Sequence, residues 1–305
     1  MSAFTIVVVL HDSGPELAAL LPTLERHAAG AELVVVDTGS LDGGPALARE
    51  HGAELVELPD NPGFGAANNA GIARARHDVT VLLNPDTELV DDSMHELAAL
   101  ARIHRRALHA PRLLEPDGSV QRSAHPLPGT VGALLPALVH PPLLPRALRE
   151  RAEPYRAETA RTVGWAIAAC LAASTATLRQ LGPFDPGVHL FAEDMELGLR
   201  ARSQGVPTVL HQRLRVRHDG GHAVLRDGEP FALLARRRRE AIAGTLGAGA
   251  LRLDDAAQAL TFLTRIAARR ALGRSAAREH AQLDALRAAR ASSGASRKGR
   301  VTHRG

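Results

Sequence analysis

LVVVDTGSLDGGPALAREHGAELVELPDNPGFGAANNAGIARARHDVTVLLNPD, residues 33–86, decides the fold of this chain. It opens on a β-branched run, Leu33 to Val36, that ends in Asp37-Thr38-Gly39-Ser40. A helical piece over Pro45 to His51 follows, then a short strand, Ala53 to Leu58. A glycine- and asparagine-rich turn, Asn61 to Asn69, leads into a helix to about Arg76. Val79 to Leu83 makes the next strand and stops at Asn84-Pro85-Asp86. Short continuous apolar runs bounded by turn residues read as strands buried on both faces. Strands and helices alternating through short loops predict an α/β fold, a mainly parallel sheet covered by helices.

The flanking sequence extends the pattern. Phe4 to Leu10 is another β-branched run, followed by a polar turn, His11 to Gly14, and a helix from Pro15 with leucines at 17, 20, 21 and 24. Downstream, a helix is expected over Asp92 to Arg102 and a strand near His109 to Leu114. Ser123 to Tyr155 carries seven prolines and little periodicity, so it reads as a long loop, a candidate part of an acceptor site. Val163 to Ser174 reads as a core strand running into a helix start, and Pro207 to Val216 as extended chain that ends at His218. The expected organisation is a first domain over 1–225, a helical region over 226–290 and a disordered basic tail over 291–305.

Charge and cysteine usage narrow the function classes. Among 305 residues, 37 basic against 33 acidic side chains leave an excess of four, which does not argue for nucleic acid. Arg236 to Arg239 form a basic run, and from Leu286 onward there are six Lys or Arg and no acid. A solvated helix face and a loose tail account for both. Contact with an anionic membrane surface also fits, at about 1 kcal/mol per basic residue. Cys170 is the sole cysteine, which excludes an intrachain disulfide and a thiolate metal cluster, and its apolar setting predicts an inert buried thiol. Phe4 to Leu10 is too short for a signal peptide, and the apolar stretch 131–144 is broken by Pro136, Pro141 and Pro142. The expected location is cytoplasmic, with peripheral contact to the membrane.

Chemistry is expected where the strands end, because an open parallel sheet binds ligands beyond their carboxyl ends. Asp37 either makes a turn or hydrogen-bonds a ribose or base edge. Gly63 and Gly65 let backbone approach a ligand, and Asn68 and Asn69 either cap the following helix or face the same ligand. Asp86, after Asn84-Pro85, is a candidate ligand for Mg²⁺ or Mn²⁺ alongside diphosphate oxygens. A second group lies between Gly182 and His222. Glu193 and Asp194 stand at a predicted helix start, where Glu193 and Glu196 have capping-box spacing. An acid held there is either a helix cap or an ionised general base. His218 at a strand end is either an ordinary polar residue or a member of the same cleft.

In order, these segments resemble glycosyltransferase family 2, of GT-A fold, and more narrowly its rhamnosyltransferase-like branch. The resemblance rests on VDTGSLDG (36–43), NPGFGAANNAG (61–71), LLNPD (82–86), GPFD (182–185), FAEDMEL (191–197) and VRH (216–218), and covers residues 4 to 222. It implies an inverting enzyme that moves a sugar, with rhamnose the family-level expectation, from a nucleoside diphosphate donor to a glycan or lipid-linked acceptor hydroxyl in cell-surface glycan synthesis. Asp37 then matches the acid at the donor nucleoside, with Gly63, Gly65, Asn68 and Asn84 completing the donor site. Asp86 matches the last acid of the Asp-x-Asp metal motif, His218 a histidine near metal and diphosphate, and Asp194 the general base. Two departures stand out: Asn84 replaces the first metal-motif acid, and Leu10-His11-Asp12-Ser13 replaces the usual Tyr-Asn-Ser type of turn.

Two other functions share the outline. A nucleotidyltransferase would carry a glycine-rich basic signature after the first strand, which His11-Asp12-Ser13-Gly14-Pro15 lacks. A non-catalytic nucleotide-sugar-binding protein would not need both Asp86 and Asp194.

Overall fold

The computed structural model describes residues 3–182, 184–185, 192–220 and 230–301, with side chains as far as Ser292. It divides into two compact units, Met1–His125 with Glu153–His222, and Pro126–Ala152 with Ala223–Gly305.

The first unit is built on β1 (Thr5–Leu10), α1 (Gly14–His27), β2 (Glu32–Asp37), α2 (Gly44–Glu50), β3 (Glu54–Glu57), α3 (Phe64–Arg74) and β4 (Val79–Leu83). β5 (Thr87–Leu89), α4 (Ser93–Ile103), β6 (Leu108–Leu114) and β7 (Ala124–His125) follow. After the excursion into the second unit come β8 (Arg161–Val163), β9 (Trp165–Ala166), β10 (Cys170–Ser174), α7 (Thr175–Leu181), α8 (Glu193–Ser203) and β11 (Thr208–His218). The main sheet runs β3-β2-β1-β4-β10-β6-β11-β5, with β8 also on β11, and β7 pairs β9 in a second small sheet. β1 lies parallel to β2 and β4, and β6 parallel to β11. β10 inserts antiparallel between β4 and β6, and β5 and β8 are antiparallel on β11.

The period-2 geometry of a strand explains why β1, buried at every position, is apolar from Ile6 to Leu10. Ile6, Val8 and Leu10 face one cluster, with Leu17, Leu20 and Leu24 of α1 and Met94 and Leu97 of α4. Val7 and Val9 face the other, with Val34 and Val36 of β2 and Ala67 and Ile72 of α3. Gly71 lets α3 sit that close: a Cβ there would lie 2.3 Å from Val7 Cγ1. Alternation on β11 buries Leu210, Leu214, Val216 and His218 on one side and leaves Arg213 and Arg215 outside.

The second unit corrects three expectations. Ser123–Tyr155 is not one long loop, because it holds α5 (Val131–Leu138), a 3₁₀ turn (Pro141–Leu143), α6 (Arg146–Ala152) and a second 3₁₀ turn (Pro154–Arg156). Pro141, Pro142 and Pro154 sit at turn starts, where they are tolerated, while Pro136 lies inside the short helix α5. Residues 126–152 belong with the C-terminal helices α9 (Phe231–Thr245), α10 (Gly247–Ala271) and α11 (Ala277–Val301), so the chain passes between the units three times, at 125/126, 152/153 and 222/223, rather than once near 225. The tail read as disordered from 291 is helical through Val301, while residues 302–305 lie outside the described residues.

The Arg236–Arg239 run is not simply a solvated face either. Arg238 pairs with buried Asp254 at 2.6 Å, and buried Arg239 pairs with buried Asp255. Removing one partner of such a pair costs about 3–5 kcal/mol, since a charge is left stranded.

Candidate active site

The site is assembled from strand ends. β11 runs beside β5 with His218 opposite Thr87, which brings the histidine against the Asn84-Pro85-Asp86 turn between β4 and β5. His218 Nε2 lies 3.3 Å from Asp86 Oδ1 and 3.4 Å from Asn84 Nδ2. The backbone N–H of Asp219 donates to the Asp86 carbonyl, closing the turn onto the strand end. β10 enters the same place because it is antiparallel to β4: the Asn84 N–H donates to the Ala169 carbonyl at 2.9 Å. One residue earlier, the Ala168 N–H is among the backbone groups that pull the Asp194 carboxyl towards its charged form. Asp194 is thus related through Ala168 and Ala169 to the segment that holds Asn84.

Helix α8, which carries Asp194, begins differently from the expected capping box. The residue before it is Ala192, in a left-handed conformation (φ 65°) that costs a non-glycine residue energy, and no side chain caps the helix. Glu196 is engaged by Arg200 at 2.7 Å instead of reaching back. Asp194 Oδ1 accepts from the Met195 N–H at 2.7 Å. Desolvation around this part-buried residue pushes its carboxyl up to about 6, against the pull of the Met195 and Ala168 N–H groups. A carboxylate tuned towards neutrality is a stronger base than a surface one. At Asp86 burial also pushes upward, but the His218 ring and neighbouring donors outweigh it and hold the group below the ordinary carboxylate value.

The acceptor atoms here fit a cation. Asn84 Oδ1 is buried without a hydrogen-bond donor, although most buried acceptors find one, and Asp86 Oδ1 is buried with the His218 ring 3.3 Å away. Among the described residues no three His, Cys, Asp or Glu gather as ligands. The protein therefore offers one carboxylate, one imidazole and one amide oxygen, a donor set suited to a Mg²⁺ or Mn²⁺ ion that also takes diphosphate oxygens.

The remaining predicted residues line the neighbouring strand ends with a different character. Asp37 is buried at the end of β2, and its carboxylate accepts from the backbone N–H groups of Gly39 (3.1 Å) and Ser40 (3.2 Å). It is an Asx turn by geometry. His11 Nδ1 lies 3.2 Å from the Thr38 carbonyl, and its Nε2 lies 3.4 Å from Asn61 Nδ2, linking the turns after β1, β2 and β3. Gly63 has φ 91°, which a side chain would strain, and it starts α3. Gly65 is small for another reason: a Cβ there would stand 2.8 Å from Phe184 Cβ, so the close approach is to Phe184. Asn68 is buried and donates to the Phe64 carbonyl inside α3. Its neighbour Asn69 clamps the Phe184 backbone at both N–H (3.1 Å) and C=O (2.9 Å). Neither asparagine caps the helix. Pro183, residues 186–191 and residues 221–222 of the quoted motifs lie outside the described residues.

Residues that sequence reasoning passed over complete the frame. Gln121 contacts His218, and Ala168 supplies the N–H to Asp194. Asn69 and His11 were visible as polar residues beside motifs, but no local pattern marks Gln121 or Ala168.

A mostly parallel sheet with carboxylates and a histidine at its strand ends defines a GT-A-type α/β enzyme. The chain belongs to glycosyl transferase family 2, whose model matches residues 5–177, and it is a glycosyltransferase. Among curated proteins it is similar to the N-acetylglucosaminyl-diphospho-decaprenol L-rhamnosyltransferase of Mycobacterium tuberculosis, 29% identical over 245 residues, covering 73% of this chain and 78% of the relative. The low-salt glycan biosynthesis hexosyltransferase Agl10 of Haloferax volcanii is 23% identical, covering 66% and 62%. Among solved structures, the mannosyltransferase PcManGT from Pyrobaculum calidifontis in complex with GDP-Man and Mn²⁺ matches at TM-score 0.60 and 14% identity, over 94% of this chain and 85% of that one. GalNAc-T7 with UDP, GalNAc and Mn²⁺ matches at TM-score 0.58 and 16% identity, over 78% and 47%. At these identities the two structures establish the shared fold.

Proposed function

We propose that this glycosyltransferase moves a sugar, rhamnose by its likeness to the mycobacterial relative, from a nucleoside diphosphate donor to a hydroxyl of a lipid-linked glycan acceptor. The observation that carries the reading is the hydrogen-bonded frame joining Asp194, through Ala168 and Ala169, to Asn84 beside Asp86 and His218. It supports a base and a diphosphate-binding end held by one rigid backbone.

In this reading Asp194 accepts the proton of the acceptor hydroxyl as oxygen bonds to the anomeric carbon and the bond to the diphosphate breaks. The Met195 and Ala168 N–H groups hold its carboxylate in place. A single displacement with no sugar–enzyme bond inverts the anomeric centre, by the logic of inverting glycosidases with an acceptor in place of water. Asp86 and His218, with Asn84 Oδ1, would hold a divalent cation that neutralises charge on the leaving diphosphate. The turn around Gly63 forms the donor side together with the turn after β2, which Asp37 shapes by accepting from the Gly39 and Ser40 N–H groups.

The test is transfer by the purified protein with Mn²⁺, deoxythymidine diphosphate rhamnose among other donors, and a polyprenyl diphosphate sugar acceptor. Acceptor-dependent release of nucleoside diphosphate supports the reading. Donor binding with no release from any donor and acceptor pair would move the protein to a non-catalytic sugar-nucleotide binder.

A further inference from the structure

Resting on the reading of Asp86 and His218 as cation ligands, we infer that Gln121 is a positioning residue for this site. Its side-chain amide, oriented by Glu115, keeps a proton on His218 Nδ1 and leaves Nε2 as the nitrogen that faces Asp86 and Asn84.

The placement begins in a tight turn. Glu115-Pro116-Asp117-Gly118 reverses the chain after β6, with Gly118 at φ 81° and its N–H donating to the Glu115 carbonyl. The returning segment lies back on β6: Leu114 bridges Val120, and the Gln121 N–H donates to the Leu113 carbonyl. On the other side of β6, Leu113 and Leu114 pair with Val216 and Arg217 of β11. Gln121 therefore arrives beside the end of β11, and its Oε1 lies 2.8 Å from His218 Nδ1.

Which end of the amide meets the ring is decided by its other neighbours. Gln121 Nε2 lies 3.2 Å from Glu115 Oε2 and 3.3 Å from the His218 carbonyl. Both are acceptors, so the NH₂ group must face them and the carbonyl oxygen must face the ring. A carbonyl oxygen only accepts, so Nδ1 has to donate. In the neutral ring the nitrogen left without a proton is then Nε2, at 3.3 Å from Asp86 Oδ1 and 3.4 Å from the Asn84 amide nitrogen. With Nε2 bare, its lone pair and Asp86 Oδ1, 3.3 Å apart, are the two atoms that would share a cation. Space has been kept for the relay at Gly220, where a Cβ would lie 3.0 Å from Gln121 Nε2 and 3.4 Å from His218 Cε1. An outer partner that fixes the ring orientation of a metal-bound histidine typically changes metal affinity 10–100-fold.

Nitrogen-15 NMR of the His218 ring tests this directly, on the neutral ring without metal. The wild type should show a protonated Nδ1 and a bare Nε2. Gln121→Leu removes the acceptor at Nδ1, leaves Asp86 as the stronger acceptor, and should move the proton to Nε2. Calorimetry with Mn²⁺ and thymidine diphosphate should then show affinity weakened about 10–100-fold in the same variant. Glu115→Gln retains an acceptor for the amide and should keep the wild-type tautomer, whereas Glu115→Leu should lose it in part. A wild-type ring protonated on Nε2, or a folded Gln121→Leu protein with wild-type tautomer and affinity, overturns the inference. Should Gln121→Leu fail to fold, Glu115→Leu carries the same test. If the tautomers behave as expected but the wild type binds no Mn²⁺, Gln121 still positions the ring and the cation reading is the part that falls.

Discussion

Two groups of acidic residues lie at ends of the same sheet, and they are treated in opposite ways. Around Asp37 the polar groups are satisfied by backbone: Asp37 takes Gly39 and Ser40, Asp12 takes Leu41, and Asp42 takes Gly14 and Gly44. Around Asp86 they are met less fully: Asn84 Oδ1 has no donor, Asp86 Oδ1 has the His218 ring 3.3 Å away, and Asp194, which accepts from the Met195 N–H, sits where burial raises its pKa. A carboxylate wrapped in N–H groups stabilises a turn and has little left for a ligand. One left short of partners keeps its charge and lone pairs for something that arrives later, at a cost to the folded protein. The contrast separates a scaffold region from a reactive one within the same set of motifs.

The largest effect expected from this contrast is at Asp194. Asp194→Asn retains an oxygen for the Met195 N–H but cannot take a proton, so transfer should fall about 10²–10⁴-fold with donor affinity maintained. The stability change has the opposite sign. The folded pKa of about 6 lies above the ordinary carboxylate value, so the stability this group contributes is present at low pH and lost as pH rises through about 6. Asp194→Asn should therefore melt higher than wild type at pH 7.5, by about 1–3 kcal/mol, and the advantage should vanish towards pH 4. Equal melting at both pH values, or near-normal turnover, breaks the comparison at its strongest point.

The pH–rate profile sharpens the same assignment. The ionised form of Asp194 is the base, so turnover should rise with pH through about 6 and then level. A profile flat between pH 5 and pH 8, with chemistry rate-limiting, would remove the base role.

At Asp86 a smaller loss is expected. Asp86→Ala should weaken the Mn²⁺-dependent part of nucleoside diphosphate affinity, on the order of tenfold to a hundredfold, with little effect on metal-free binding. Calorimetry with and without chelator separates the two components. Full transfer by the wild type in excess chelator would mean that the acceptor atoms at Asn84 and Asp86 serve no metal.

The smallest effect belongs to the wrapped region. Asp37→Ala removes the acceptor for two backbone N–H groups and should lower stability by about 1–2 kcal/mol, while Asp37→Asn keeps one acceptor oxygen and should recover most of it. If instead Asp37→Asn melts normally but loses about 1.5–3 kcal/mol of nucleotide affinity, Asp37 is a donor ligand and the contrast between the regions weakens.

Much of this architecture is legible without the structure. Val7 to Val9 and Val34 to Val36 announce doubly buried strands, and the turns at 37–40 and 84–86 do lie at strand ends, whereas of 61–69 only 61–63 precede helix α3, which begins at Phe64. The roles within those turns are less legible. Gly65 and Asn69 read as ligand-facing or capping residues, and both serve Phe184, 115 residues from Asn69. Arg238 and Arg239 read as a charged surface, and both close ion pairs onto α10, because a run of like charges does not reveal acids sixteen residues away.

What the amino-acid sequence determined by itself is whatever repeats locally: the period of buried strands and helices, the turn residues between them, and hence a mainly parallel sheet with polar strand ends. What only the tertiary structure decided is which of those ends meet. Asn84 and His218 are 134 residues apart, Gln121 and His218 are 97 apart, and Asp194 reaches the same frame through Ala168. Side-chain periodicity carries no information across such distances. The antiparallel insertion of β10 and the register of β11 against β5 supply it, because backbone hydrogen bonding allows each strand one alignment that keeps its apolar face buried.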